Sequence, residues 1–369
     1  MRYYIIAGEA SGDLHGSNLI TQIHRYDPAA AIRCWGGDRM EQAGAVLVKH
    51  YRDLAFMGFV EILANLKTIL GNLAFCKKDI EAYEPDVVVL VDYPGFNMRI
   101  AKWAHDKGYK VVYYISPQVW AWKENRVKAI RQSVDKMLVI LPFEKAFYAR
   151  WGYAVEYVGH PLLEVVKKAK EAGPGKSLAE APIIAILPGS RRQEVLEKLP
   201  VMLRMTAFFP NYVFVLGRGP HLDDAMLGDL LKDYPQVRVV EGRTYDLLQQ
   251  ADAALVTSGT ATLETALFNV PQVVCYKGNP VSYQLAKRLI KVKYISLVNL
   301  IMDRQVVTEL IQHEMNADNL KRELEKILAP ESRAKMQQDY QQLWNLLDEG
   351  DASARAAESI VGFLTGAGT

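Results

Sequence analysis

The chain has 369 residues, room for two domains of about 150 residues each, and 50% of them are hydrophobic and 23% charged. That composition excludes intrinsic disorder and collagen-like repeats, and three widely spaced cysteines (Cys34, Cys76, Cys275) exclude a disulfide scaffold or a four-cysteine zinc site. The net charge of +2 gives no argument for nucleic acid, but residues 1–170 hold 23 Lys+Arg against 18 Asp+Glu, a basic bias compatible with an anionic partner or surface.

The opening YYIIA run (3–7) is too short for a signal peptide and ends at Gly8, which predicts a buried first strand. No stretch approaches about 18 consecutive apolar residues, so no membrane span is expected and the expected compartment is the cytoplasm. Further strands are predicted at 32–35, 86–91, 111–115, 137–140 and 155–157, with helices at 14–26, 97–107 and 143–151. Continuous apolar runs such as VVVLV (87–91) suit parallel strands covered on both faces, and the alternation reads as a doubly wound α/β sheet.

The EAGPGKS segment (171–177) reads as a linker. Its GKS end is not a phosphate-binding loop, because Lys170 stands where that motif needs its first glycine. Strands at 183–187, 212–216, 237–240, 253–256 and 272–276 follow, with helices at 194–209, 246–250 and 261–268; from about 281 onward the pattern is nearly all helical. The expected architecture is two Rossmann-like domains, 1–172 and 180–350, facing a central cleft, with a last helix (353–366) returning to the first domain. Ligands then sit where the loops at the carboxyl ends of the strands converge.

Six stretches lie at such strand ends. GEASGD (8–13) contributes glycines for a tight turn and, through Glu9, Ser11, Gly12 and Asp13, groups able to meet an anion or a sugar; a plain strand–helix turn uses the same residues. In VDYPGFN (91–97), Asp92 closes a buried strand with a carboxylate, as a general base toward a hydroxyl or as a cap of the next turn. SPQVWAW (116–122) sets Gln118 beside Trp120 and Trp122, which suits a sugar- or lipid-facing loop as well as core packing. GHP (159–161) places His160 to donate to a phosphate or to stabilise a turn. LPGSRR (187–192) offers amides, the Ser190 hydroxyl and the Arg191 guanidinium, the parts of a diphosphate clamp. TSGTATLE (257–264) leads from a strand end through Ser258, Gly259, Thr260 and Ala261 into a helix ready for phosphate, with Glu264 a turn later for ribose hydroxyls.

Three other features are less directive. SLVNL (296–300), with Asn299, and QVVTEL (305–310) set polar residues in apolar surroundings, as helix faces or as cleft contacts. Residues 54–70 are apolar on more than one helical face, with Lys67, Lys77 and Lys78 nearby, a pattern of core packing or of an interfacial element. The seven histidines are scattered without metal-ligand spacing, and no G-x-S-x-G elbow is present.

The six strand-end stretches, with LPFEKAFY (141–148), LAKRLI (285–290) and YISLVNL (294–300), together resemble the lipid-A-disaccharide synthase family from about residue 3 to 310. The resemblance implies a GT-B fold and metal-independent transfer of 2,3-diacylglucosamine from its UDP derivative to the 6-hydroxyl of 2,3-diacylglucosamine 1-phosphate, with no cofactor. It implies work at the inner face of the inner membrane without spanning it; a homodimer is compatible with the helical C-terminal part. By the resemblance Asp92 takes the place of the family's cleft aspartate and is assigned as the general base, with Asp13 and His15 as rivals. Arg191 would bind the diphosphate and stabilise the leaving UDP; Ser190 and the 258–262 turn would add phosphate donors, and Glu264 a ribose contact. Gln118 departs from the smaller residue expected in the tryptophan loop, and the 173–181 connector is short. A UDP-sugar epimerase or hydrolase, or a non-catalytic nucleotide-sugar-binding protein, is the competing expectation.

Overall fold

The computed structural model describes residues 1–54, 66–219, 222–279, 283 and 292–366, with side chains throughout except at Leu66. The 285–290 stretch and most of the apolar 54–70 stretch lie outside the described residues. Two compact units emerge: Met1–Pro161 with Glu349–Thr369, and Leu162–Asp348. The division falls at Pro161, ahead of the boundary at 172 expected from sequence, so the helix Leu162–Ala172 groups with the second unit and not the first.

The first unit holds a seven-stranded sheet in the order β3-β2-β1-β4-β5-β6-β7. Its strands are β1 (Arg2–Ala7), β2 (Ala31–Gly36), β3 (Val46–His50), β4 (Val87–Val91), β5 (Lys110–Tyr114), β6 (Lys136–Val139) and β7 (Glu156–Tyr157). Every pairing is parallel. Tyr3 to Ala7 and Val87 to Val91 are fully buried, as apolar runs with helices on both faces must be. β3 escaped the sequence reading because its side chains are only partly buried at a sheet edge, where no apolar run marks a strand.

The helices that frame the site in this unit are α1 (Ala10–Tyr26), α2 (Asp38–Gln42), α3 (Pro94–Asp106), the short α4 (Val119–Trp122) and α5 (Pro142–Ala149). The C-terminal helix, Ala352–Thr365, belongs to this unit, and its Ala356, Ala357 and Ile360 share a buried core with Leu19, Ile20 and Ile23 of α1.

The second unit carries a six-stranded parallel sheet in the order β10-β9-β8-β11-β12-β13. Its strands are β8 (Ile183–Leu187), β9 (Val213–Arg218), β10 (Arg238–Glu241), β11 (Ala251–Thr257), β12 (Gln272–Tyr276) and β13 (Thr308–Ile311). The helices used below are α6 (Leu162–Ala172), α7 (Arg192–Leu203), α8 (Thr260–Leu267) and α9 (Leu297–Met302). β13 corrects the expectation of an almost wholly helical C-terminal part: Thr308 to Ile311 pair with β12 from Val273 to Tyr276. Four residues at an edge give too short an alternation to stand out in sequence. Among the described residues no helix is long and apolar enough to cross a membrane.

In both sheets the strand order reverses direction at the centre, between β1 and β4 and between β8 and β11. Loops leaving the carboxyl ends of these pairs diverge and open a crevice, the usual ligand position in doubly wound sheets. GEASGD follows β1, Asp92 follows β4, LPGSR ends β8, and TSGTATLE ends β11, so all four stretches lie at switch points.

Asp13 shows how the first crevice is framed. Its Oδ1 accepts the amides of Gly37 (2.7 Å) and Met40 (3.1 Å), and Oδ2 that of Arg39 (3.3 Å), capping α2 from α1. Asp13→Ala removes a 4%-exposed acceptor and leaves buried amides unsatisfied. We expect a stability loss of about 1–3 kcal/mol by urea denaturation.

Candidate active site

Asp92 and Tyr93 leave β4 with φ of 46° and 51°, two consecutive non-glycine residues in the left-handed region. Such residues each cost on the order of 1–3 kcal/mol unless their surroundings impose the conformation. Here the surroundings do. The Asp92 amide donates to the Tyr114 carbonyl (3.1 Å), and its own carbonyl accepts from the Tyr113 hydroxyl (2.6 Å) and Asn97 Nδ2 (2.8 Å). Asn97, fully buried at the start of α3, also donates to the carbonyls of Ile6 and Val91, each at 3.3 Å, and so ties the ends of β1 and β4 together.

Tyr93 completes the joint from its ring side. The ring stacks on Phe96 with centroids 5.8 Å apart and lies over Gly8, where an added Cβ would come within 2.3 Å of ring carbons. Gly8 is therefore needed for close approach, and the first Gly of the turn is what lets the turns after β1 and β4 touch.

The electrostatics of this crevice single out one carboxylate. Burial, with the nearby charge of Glu9, pushes Asp92 from 3.8 up to about 6. The rivals fare differently. Asp13 is committed to the α2 amides, so the structure gives it a framing role in place of that of a base. His15 is 8% exposed and burial lowers it to about 4; His160 is 4% exposed and falls to about 3 through burial and the adjacent His15. Both imidazoles are neutral at pH 7, and His15 is a weaker base there than Asp92. Glu9 and Ser11 are exposed at the start of α1, while Gly12 packs on Ala7, with 3.1 Å between Ala7 Cβ and an added Cβ.

On the far side of β4 comes the tryptophan turn. Gln118 is exposed and precedes α4; Trp120 is buried, edge-on to Phe143 at 5.0 Å; Trp122 is 48% exposed under Lys123 and Arg126. The two tryptophans thus divide into one packing and one surface residue.

In the second unit Gly189 adopts φ 105°, and a Cβ there would lie 3.1 Å from both Thr257 Cγ2 and Glu194 Oε2. The LPGSR turn therefore lies directly on the end of β11. Arg191 precedes α7 with a 68%-exposed side chain whose Nη1 is 3.3 Å from Glu194 Oε1. One turn on, Lys198 is 2% exposed with Nζ 3.6 Å from Glu194 Oε2; burial lowers its pKa, and Glu194 opposes the shift. Glu194 thus sits between an exposed and a buried cation, and among the described residues Arg191 is held by a weak, solvated ion pair. Ser190 is exposed beside it.

The TSGTATLE turn divides into committed and free groups. The Ser258 hydroxyl donates to the Ile295 carbonyl (2.9 Å), so it holds the YISLVNL segment and is not a free phosphate donor in this structure. Gly259 precedes α8 at φ 145°, and the exposed Thr260 and half-buried Ala261 begin the helix, where amide hydrogens lack intrahelical partners. Glu264 Oε1 accepts from the Tyr245 hydroxyl (2.8 Å); burial raises its pKa, and the Tyr245 bond opposes the shift.

Asn299, expected from sequence on a helix face or as a cleft contact, is committed to hydrogen bonds within the second unit. Fully buried in α9, it accepts the Val306 and Val307 amides (2.7 and 3.0 Å) and donates to the Val307 carbonyl and Glu309 Oε1, both at 2.9 Å. These bonds tie α9 to β13 and to the two residues that lead into it. Sequence reasoning missed Asn97, Tyr113 and Glu194, although the first lies inside VDYPGFN and the last follows LPGSRR. Among the described residues no group of three or more His, Cys, Asp or Glu side chains is arranged to hold a metal ion.

The chain is similar to known proteins along nearly its whole length. A family model described as Lipid-A-disaccharide synthetase matches residues 3–361. The lipid-A-disaccharide synthase of Syntrophus aciditrophicus (strain SB) is 40% identical over 364 residues, covering 96% of this chain and 95% of that protein. That of Geobacter sulfurreducens is 38% identical over 375 residues, covering 98% and 97%. Among solved structures, the UDP-GlcNAc 2-epimerase from Neisseria meningitidis bound to UDP-GlcNAc aligns with a TM-score of 0.68 at 13% identity, covering 99% of this chain and 100% of that one. The glycotransferase of kitacinnamycin aligns equally well, at 0.68 and 16% identity, covering 98% and 99%. These last two likenesses establish the GT-B type of fold alone; the sequence matches go further, and the chain belongs to the lipid-A-disaccharide synthase family.

Proposed function

We propose that the protein transfers 2,3-diacylglucosamine from UDP-2,3-diacylglucosamine to the 6-hydroxyl of 2,3-diacylglucosamine 1-phosphate, with inversion at the anomeric carbon. The observation that carries this reading is a half-buried, proton-affine Asp92 at one sheet's switch point, in a chain whose other sheet presents an arginine and helix amides at its own switch point. The acceptor oxygen forms the new bond to the anomeric carbon as the bond from that carbon to the UDP oxygen breaks. Asp92 takes the hydroxyl proton, and a base with a pKa near 6 is largely ionised yet basic enough for the task at neutral pH.

Negative charge then collects on the departing diphosphate. In this account Arg191 swings from Glu194 to the phosphate oxygens, with Ser190 and the first amides of α8 as further donors, and Glu264 with Tyr245 meets the ribose. No metal or cofactor has a part in it. Lys198 balances Glu194 when Arg191 leaves. Work at the inner-membrane surface fits the acylated substrates and the exposed Trp122 beside Lys123 and Arg126.

Incubating detergent-solubilised protein with both substrates and EDTA, followed by mass spectrometry, tests the reaction. The expected products are the β-1,6 disaccharide 1-phosphate and UDP; UDP or an isomerised donor formed without acceptor would favour a hydrolase or epimerase. Arg191→Ala should lower turnover by at least ~100-fold, as loss of a charge-stabilising donor does, and near-wild-type turnover would remove Arg191 from the chemistry.

Asp92→Asn separates chemistry from folding. The folded chain holds the Asp92 proton with a pKa near 6 against 3.8 for an ordinary aspartate, so stability falls as pH rises through that interval. Asparagine, which tolerates the left-handed backbone, removes the cost. At pH 7.5 this variant should unfold at higher urea, by about 1–3 kcal/mol, bind UDP normally and transfer no sugar. A destabilised Asp92→Asn protein would contradict the electrostatic account.

A further inference from the structure

The tryptophan turn is fastened at its base by a buried carboxyl group outside the machinery described above. Ile115 leaves β5 at φ 65°, a conformation that is a genuine outlier for a β-branched residue, and its amide donates to the Leu138 carbonyl at 3.1 Å. Ser116 follows, 4% exposed, and donates its hydroxyl to Glu144 Oε1 in α5. The other oxygen of Glu144 accepts the amides of Leu141 (2.9 Å) and Ile140 (3.2 Å), closing the amino end of the same helix. Trp120 then packs edge-on to Phe143, one residue before Glu144.

Capping α5 does not require this arrangement. A serine or aspartate at the cap would satisfy the same amides from a solvated position, whereas Glu144 is 1% exposed and forms no ion pair among the described residues. A buried carboxyl without a cation is costly unless its hydrogen bonds are complete, and burial raises Glu144 to about 7. What the buried position adds is reach: one side chain joins α5 to the turn after β5. That turn is next along the sheet edge from Asp92, whose backbone is held by Tyr113 and Tyr114 of the same strand. The strained Ile115 backbone and the Ser116–Glu144 bond therefore fix the residues 116–122 relative to Asp92, and leave Gln118 and Trp122 exposed.

We propose that Glu144 is a positioning residue for the acceptor: through Ser116 it holds the 116–122 turn in the shape that receives the acceptor sugar beside Asp92. This rests on the transfer reaction proposed above. The test measures kcat and the KM of each substrate for full-length wild type, Glu144→Gln and Ser116→Ala, with UDP binding and circular dichroism as checks on folding. Ser116→Ala leaves the α5 cap intact, so it decides the matter if Glu144→Gln does not fold. The expected result is an acceptor KM raised about tenfold or more in each folded variant, with donor KM and UDP binding within about twofold of wild type. Parallel losses toward both substrates, or an unchanged acceptor KM, would overturn the proposal. Wild type without transfer would overturn the reaction and this role together, whereas transfer with an unmoved acceptor KM would overturn this role alone.

Discussion

The contact between the Tyr93 ring and the bare Cα of Gly8 is the constraint on which the first crevice depends. It joins the turns that leave β1 and β4 at the point where the backbone of Asp92 and Tyr93 turns left-handed. The cost is met by Asn97 and Tyr113, which bind the Asp92 carbonyl, and by Phe96 beneath the ring. A carboxylate is thereby fixed in a partly dehydrated corner, near the negative charge of Glu9. Strain and desolvation are tolerated at such a point because the fully buried residues 3–7 of β1 and 87–91 of β4 supply a rigid support.

The second unit solves a complementary problem. In the proposed reaction its turn after β8 receives a diphosphate, which needs positive charge that is present but not locked in place. Arg191 has that freedom: its partner Glu194 is shared with the buried Lys198, and the pair is solvated enough to exchange for a phosphate at little cost. Gly189 on Thr257 keeps the LPGSR turn against the end of β11, the strand that leads into α8. The Ser258 hydroxyl bond to Ile295 and the Asn299–Glu309 links hold the surrounding segments still.

Much of this was legible in the sequence for simple reasons. Long buried parallel strands write continuous apolar runs, and the turns at their carboxyl ends carry glycine and small polar residues, so the sheets and four loops could be placed from pattern. β3 and β13 were not legible because edge strands bury too little to impose a pattern. Polar residues at strand ends were legible as a group but not individually: Asp13, Ser258 and Asn299 look like ligand contacts until their partners are seen, since a capping carboxylate and a catalytic one have the same letter. Glu144 shows the reverse. Its position third in a helix beginning with Pro142 reads as an ordinary cap, and only the fold brings Ser116 to it.

The central claim is that burial and Glu9 tune Asp92 to serve as the base. It is tested most directly by the pH dependence of kcat/KM for the wild type and for Glu9→Gln. The account predicts an acid limb near pH 6 in the wild type, with activity falling below it, and a limb moved to lower pH when the Glu9 charge is removed. A wild-type profile flat from pH 5 to 7, or a limb that stays in place in Glu9→Gln, would contradict it.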